Sequence, residues 1–296
     1  MKGFTKIAMA LAFAAMVLMP LGNAKAGSVS LEVPIVQVTN LDYPYVGVSL
    51  DAPNGHSEMV RLRETPAIKL GFEFGNRSLS IMNLRASQSE KTNSGGETLT
   101  YYFEHQDTSS DSCTVCSVKS ETNVNFTVID YNVKNEVVKN DNFGLSFVSG
   151  FTIVDAGQNI DQRNNTEYAE VSYDFSGAGV TTGFEATYGS GSFQWVTSVG
   201  YGILYGKSDY NYRYHNNDIY LYDKSENITT SVFKVSVKGN YNVSDSLALI
   251  FGYVMADYKD IFEIAQQVDD TTEGSFERSD RSVGYQGLTL GAKLTF

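Results

Sequence analysis

The chain has 296 residues, with 22 lysines and arginines against 34 aspartates and glutamates. Residues 1–26 contain three of the lysines and no acid, so the remainder carries 19 against 34, a net charge of 19 − 34 = −15, which disfavours nucleic acid as a partner. Nineteen tyrosines, 17 phenylalanines and 26 glycines with only five prolines suit strands whose two faces differ, as in a membrane barrel. A soluble β-sandwich would alternate similarly but has less reason to be so aromatic.

The N-terminus has the pattern of a secretory signal peptide. Two lysines precede an uninterrupted apolar run at residues 7–19, Pro20 ends the run, and small residues follow at 24–26. The run is too short to cross a bilayer as a helix. We therefore expect cleavage after residue 26 and an exported domain at residues 27–296. Without an apolar helix, such a domain can span a membrane only as a closed barrel.

Period-two alternation predicts ten strands, most of them paired as hairpins through short turns. The strands are expected near residues 45–50, 66–74, 77–88, 123–133, 143–154, 180–188, 193–205, 232–241, 247–255 and 284–296. The alternation slips around Ile129, which predicts a β-bulge there.

The last predicted strand has one apolar face and one small or polar face. Its apolar face holds Leu288, Leu290, Ala292, Leu294 and Phe296. A final strand of this kind can pair with the first strand and close a barrel. The terminal Phe296 resembles the C-terminal signature of bacterial outer-membrane proteins, so we expect it to be the barrel-closing signal and the contact for the barrel assembly machinery.

Long polar segments separate the hairpins and are interpreted as loops at residues 89–121, 158–170, 207–229 and 257–282. Short turns at one end and long loops at the other are typical of a barrel inserted from the periplasm. The sequence thus predicts an all-β fold, a single transmembrane antiparallel β-barrel with short periplasmic turns and long extracellular loops. Both termini lie at the turn end, which requires an even strand number. Eight or twelve strands would satisfy this as well as ten.

Two segments carry a family resemblance. Residues 177–210 (GAGVTTGFEATYGSGSFQWVTSVGYGILYGKSDY) and 286–296 (QGLTLGAKLTF) resemble the Legionella-type pore-forming major outer membrane proteins, and the hairpin at 125–157 is similar in layout. The resemblance implies an outer-membrane barrel that passes small solutes. Where the family pattern leads us to expect Gly-x-Gly-Pro-Arg, this chain has Val180 and Thr181 in the last two positions. Any pore property that depends on that arginine is in doubt.

Charged residues on the polar faces of the strands are the candidate functional site. They are Lys69, Glu73, Glu185, Lys234, Lys238 and Lys293. Charges of both signs in a lumen either line a water path or pair off and plug it, and ten strands enclose a space that side chains alone can nearly fill. The first interpretation is a passive pore for small solutes or ions. The alternative is a plugged structural or surface-interaction barrel with acidic extracellular loops.

Other candidate chemistry is sparse. Cys113 and Cys116 are expected to form a disulfide within a polar segment of an exported protein, although a redox motif, a zinc site and a cross-link between proteins are alternatives. The histidines at positions 56, 105 and 215 lack an adjacent catalytic pattern, so no enzyme is expected. The acidic cluster at 269–277 lacks the spacing of a calcium loop.

No cofactor is therefore predicted. The expected partners are outer-membrane lipids and lipopolysaccharide, and a homo-oligomer is left open.

Overall fold

A computed structural model describes residues 27–39, 43–48, 57–60, 62–93, 99–101, 111–113, 117–165, 168–216, 218–267 and 276–296. These ranges contain fourteen strands, and none of their residues forms a helix long and apolar enough to cross a membrane. Ten strands form one closed antiparallel barrel, which confirms the predicted fold class and strand number. The predicted signal peptide lies outside the described residues.

The strands are, in chain order, β1 (Gly27–Thr39), β2 (Tyr43–Val48), β3 (Ser57–Val60), β4 (Thr65–Phe74), β5 (Arg77–Asn93), β6 (Leu99–Tyr101), β7 (Asp111–Cys113), β8 (Ser117–Lys139), β9 (Phe143–Arg163), β10 (Tyr168–Tyr188), β11 (Phe193–Asn216), β12 (Asp218–Asn242), β13 (Leu247–Gln267) and β14 (Phe276–Thr295). Around the barrel they follow the order β1-β14-β13-β12-β11-β10-β9-β8-β5-β4. A separate four-stranded sheet has the order β3-β2-β6-β7.

An apolar band surrounds the outer face at the turn end of the barrel. On β10 it includes Val180, Phe184 and Tyr188, which are more than half exposed, and it gives way to Asp174 nearer the other end. Alternate residues point inward, as Thr289 of β14 does between the exposed Leu288 and Leu290. The band covers about the 9–11 residues per strand that a bilayer requires. The predicted facing of the terminal strand is therefore confirmed.

The strands continue far beyond this band, which corrects the interpretation of the long polar segments as loops wherever those segments are described; residues 94–98, 102–110, 114–116 and 268–275 lie outside the described residues. β11 and β12 pair without a break from Phe193↔Tyr241 to Asn216↔Asp218. At about 3.3 Å per residue, a strand of this kind is some 80 Å long, and β11 has 24 residues. Beyond the bilayer the outer face meets water and turns polar, while Tyr210 and Ile228 stay buried at alternate positions. A polar composition therefore does not end these strands.

The first barrel strand is not the predicted one. Residues 45–50 overlap β2, which belongs to the small sheet, whereas β1 pairs with both β14 and β4. Pro34 obscures the strand pattern in the sequence because proline lacks the N–H that a ladder requires. The β1–β4 pairing has a gap there, between Glu32↔Lys69 and Ile35↔Pro66, with the register unchanged. The seam closes where Gly27 N donates to the carbonyl of Phe296 at 2.9 Å. Phe296 thus lies where the closing signal was expected.

The predicted bulge at Ile129 is wrong. Its ladder is continuous, with Ile81 on one side and Ile153 on the other, and the register shift of β8 falls instead between Glu136 and Val138. Ile129 faces outward yet is buried by the neighbouring strands. The sequence alternation is lost here because an apolar residue occupies a buried outward position, and no extra residue is inserted.

Candidate functional site: the barrel interior

The least exposed ion pair among the described residues of the lumen joins β12 to β1. Lys238 Nζ lies 2.7 and 2.9 Å from the two carboxylate oxygens of Glu32. Thr289 donates to the same carboxylate at 3.3 Å, and Lys69 is the register partner of Glu32 on β4. The Glu32 side chain is only 5% exposed. One buried carboxylate therefore binds Lys238 directly, and Lys69 lies nearby on the neighbouring strand.

A second pair crosses the lumen. Lys234 Nζ on β12 lies 2.5 Å from Asp130 Oδ1 on β8, and three strands separate these two around the wall. Thr152 donates to the same oxygen at 2.6 Å. A contact between strands so far apart occupies the space through which a solute would pass.

The remaining predicted charges meet at the turn end. Lys293 and Ser28 both donate to Glu73, Ser28 at 3.1 Å. Glu185 accepts from Lys134 at 2.6 Å. A cavity of about 170 Å³ opens beside Glu73 and Lys293, so this group lies in a shallow vestibule.

All six predicted residues thus lie in the interior, with five lysines and four carboxylates gathered there in the described residues. Sequence reasoning missed Glu32, Asp130 and Lys134. Lys134 and Asp130 lie on the same, inward face of β8, and alternation along the strand could have found them. The apolar Ile129 on the outward face hid which positions point inward. Glu32 lies on the strand that Pro34 concealed.

A layer of aromatic rings lies across the lumen beyond the ion pairs. The ring of Phe126 on β8 lies 4.9 Å from that of Tyr258 on β13, edge to face, and 6.0 Å from that of Tyr285 on β14. β8 lies across the barrel from β13 and β14. Phe126 and Tyr258 are essentially inaccessible to solvent.

Farther from the turn end, a second aromatic group fills the interior. Tyr173 on β10 lies 5.1 Å from Tyr210 on β11 and 5.7 Å from Phe262 on β13, centroid to centroid. Tyr173, Phe262 and Ile261 are all buried. From the vestibule outward, the described interior therefore consists of ion pairs, an aromatic layer and an apolar core.

Comparison with known families decides the identity. The family model described as Legionella pneumophila major outer membrane protein precursor matches residues 78–296, well over half of the chain. The chain belongs to this family.

Among solved structures, the outer membrane protease OmpT from Escherichia coli aligns with this Legionella outer membrane protein family member at a TM-score of 0.56 and 11% identity, over 94% of this chain and 99% of that chain. The translocator domain of autotransporter NalP from Neisseria meningitidis aligns at a TM-score of 0.35 and 12% identity, over 99% and 95%. At these identities the likeness to OmpT shows the barrel fold alone. No curated protein sequence matches the chain.

Family membership makes the molecule an outer-membrane β-barrel, and its long strands extend from the end opposite the short turns. Ion pairs lie on the outer wall of this extension, including Lys119 with Glu121 at 3.0 Å. Tyr168 donates to Glu170 at 2.8 Å, and burial followed by this bond raises the pKa of Tyr168 to about 12. Burial and the neighbouring Glu170 raise the pKa of Asp161.

The other sequence candidates are placed only in part. Thr181, where the family pattern led us to expect arginine, faces the interior, because its methyl group lies 2.6 Å from where a Cβ at Gly202 would stand. The Cys113 backbone belongs to β7, but its side chain and the whole of Cys116 lie outside the described residues, as do the three histidine side chains. Within the described side chains no cluster of three potential metal ligands occurs.

Proposed function

We propose that the protein is a closed outer-membrane barrel that presents an extended β-structure on the cell surface. The observation that carries this proposal is the set of contacts across the lumen. The Lys234–Asp130 pair and the Phe126–Tyr258 pair each join opposite walls, one above the other. A solute would have to break both to pass.

The ion pairs favour a structural role over a conducting one. A lysine that lines a water path keeps its charge available to passing ions, whereas a lysine bonded to a carboxylate with added hydroxyl donors is held in place. Glu32 and Asp130 each have such a shell, completed by Thr289 and Thr152 respectively. These charges then serve to fill a narrow barrel.

The extension supplies the surface for interaction. Its strands continue well beyond the apolar band, and its outer wall carries side chains of both signs. Such a polar outer wall can be solvated by water outside the bilayer, and a surface-interaction protein needs an exposed surface of this kind. Export after cleavage at residue 26, absence of enzymatic activity and contact with lipopolysaccharide are parts of the same proposal.

A passive pore for small solutes is the second candidate, and one observation favours it. The part of the lumen near the turn end is accessible to water, since the Glu73 side chain is 44% exposed and the Lys134 side chain 28%. If the aromatic layer moved, this vestibule would form half of an aqueous path.

Conductance of the purified protein in planar bilayers tests the proposal. We expect no regular conductance steps from the wild type in potassium chloride. The triple substitution Phe126→Ala, Lys234→Ala and Phe262→Ala removes both contacts across the lumen and also the ring that packs against Tyr173, and it should produce steps. Phe147→Ala, which removes a ring from the lipid-facing surface, is the matched control and should stay silent. Regular steps from the wild type would refute the closed barrel and support the pore.

A further inference from the structure

A groove of about 410 Å³ lies on the outer wall of the barrel, across β5, β8, β9 and β10. One row of register partners runs along it, from Arg85 through Asn125 and Gly157 to Asp174. The side chains of Arg85, Asn125 and Asp174 are exposed, so the row faces outward. Gly157 leaves the middle of the row without a side chain, and a Cβ there would lie 2.8 Å from Asp174 Oδ1. The floor of the groove is therefore backbone.

The groove begins just beyond the apolar band. Ile81, Ile129 and Ile153 are register partners and form an apolar row on the same wall. Asp155, which lines the groove, is two residues beyond Ile153, about 7 Å along a strand. The polar region of a bilayer is about 5–8 Å thick on each side of the hydrocarbon core. The groove therefore lies at the level of the lipid head groups, on the side from which the strands extend.

The charged side chains of the groove do not satisfy one another. Within the described part of the chain, Arg85, Asp155 and Asp174 make no hydrogen bond or ion pair. Partial burial, and then the neighbouring Asp155, raise the pKa of the Asp174 carboxyl, as expected for two acids that share no cation. Arg85 lies three strands from Asp174, about 14 Å across the sheet. The groove thus offers a strong donor at one end and strong acceptors at the other.

We propose that this groove binds a sugar of the lipopolysaccharide head group, an inference that rests on the proposed function only for placing the extension outside the cell. A sugar hydroxyl both donates and accepts, so a sugar can donate to Asp155 and Asp174 and accept from Arg85. The two aspartates repel a simple anion, and Arg85 repels a simple cation. The missing side chain at Gly157 lets a sugar ring approach the backbone.

The position of the groove selects a lipid-anchored sugar over a soluble one. A soluble glycan would meet the same side chains. The acyl chains of lipopolysaccharide, however, hold its sugars at the level of the groove, which raises their effective concentration there.

Native mass spectrometry of the full-length protein in detergent micelles, with added lipopolysaccharide that keeps its core sugars, tests this site. Asp155→Asn with Asp174→Asn should weaken binding by about tenfold, because charged acceptors form stronger hydrogen bonds than neutral ones. Lipopolysaccharide is anionic, so simple charge attraction would instead strengthen its binding when two acids are neutralised. Gly157→Gln, which places a side chain in the groove without changing the charge, should also weaken binding.

Asp257→Asn is the matched control. Asp257 is two residues beyond Met255, on β13 across the barrel from β8, so the variant removes an acid at a similar level outside the groove. It should bind as the wild type does. Equal binding by the wild type and the folded groove variants, or tighter binding by the double variant, would overturn the proposal.

Two other probes identify the ligand. Phosphatidic acid, an anionic lipid without a sugar, should bind equally to the wild type and the groove variants, and a loss of its binding in those variants would overturn the sugar assignment. Free core oligosaccharide should bind about tenfold or more weakly than lipopolysaccharide. Equal affinity would assign the groove to a soluble glycan and overturn the lipid assignment. These results do not depend on conductance, so a conducting wild type would refute the closed barrel and leave this site unaffected.

Discussion

Loss of the Glu32 carboxylate should destabilise the barrel more than loss of any exposed acid. In Glu32→Gln, the ammonium group of Lys238 remains in the interior without its carboxylate partner, and Lys69 stays charged on the neighbouring strand. Removing one partner of a buried pair costs about 3–5 kcal/mol, because the other charge stays buried and uncompensated. The glutamine oxygen can still accept one hydrogen bond, so we expect the lower end of that range.

Two further variants test whether the lost stability comes from the buried Glu32–Lys238 pair itself. Glu32→Gln with Lys238→Met removes both charges of the bonded pair but leaves Lys69, so it should recover part of the loss, since a matched apolar replacement of a buried pair is often neutral. Glu121→Gln breaks the exposed pair with Lys119, whose side chains are 35% and 50% exposed, and should cost about 0–1 kcal/mol.

The assay is urea-induced unfolding in lipid vesicles, monitored by the fluorescence of Trp195, for the wild type and all three variants. Trp195 lies on the lipid-facing wall and stacks edge to face on Phe193 at 5.2 Å, so its emission should report loss of the barrel. If Glu32→Gln lost no more stability than Glu121→Gln, the lumen charges would not be compensating one another and the reasoning would be wrong.

Three other predictions concern the lipid face, the cysteines and the outer wall. Leu290→Arg, at an outward position that is 59% exposed, should cost about 2–4 kcal/mol if it lies at the bilayer midplane, as vesicle refolding would show. Cys113 and Cys116 should be oxidised in fresh outer membranes, and alkylation of free thiols detected by mass would contradict this. Because burial and then Glu170 raise the pKa of Asp161, its folded form holds a proton to higher pH, and stability should fall as pH rises from about 4 through that pKa. Asp161→Asn should flatten this dependence in melting curves, and an unchanged slope would exclude the effect.

Local sequence determined the facing of the strands but not the pairing of their charges. The alternation of β12 places Lys234 and Lys238 inside, and their positions follow from a period of two. Their partners Asp130 and Glu32 lie 104 and 206 residues away along the chain. Which strands meet across a lumen depends on the tilt and stagger of the whole barrel, and no short stretch of sequence contains that information.

Turns were predictable where their chemistry is distinctive. Gly189 and Gly191 have φ of 138° and 67° at the β10–β11 turn, and Gly75 has 59° between β4 and β5, so glycine marks each reversal. The outer ends of the strands gave no such marker. Polar residues at these outer ends predict a loop if apolar alternation is the only criterion. A strand that leaves the bilayer nevertheless keeps its pairing, and only its outer face changes from apolar to polar.

The unequal lengths of the ladders bear on the order of folding. β10, β11 and β12 are neighbours in sequence and pair along most of their lengths, so their contacts close short chain segments. The β1–β14 seam instead joins Ser28 to Thr295, at opposite ends of the barrel sequence. Closing a long loop costs more entropy, and contacts between distant residues form more slowly. The seam should therefore form last, and until then the edges of β1 and β14 would be open to pairing with another polypeptide during insertion.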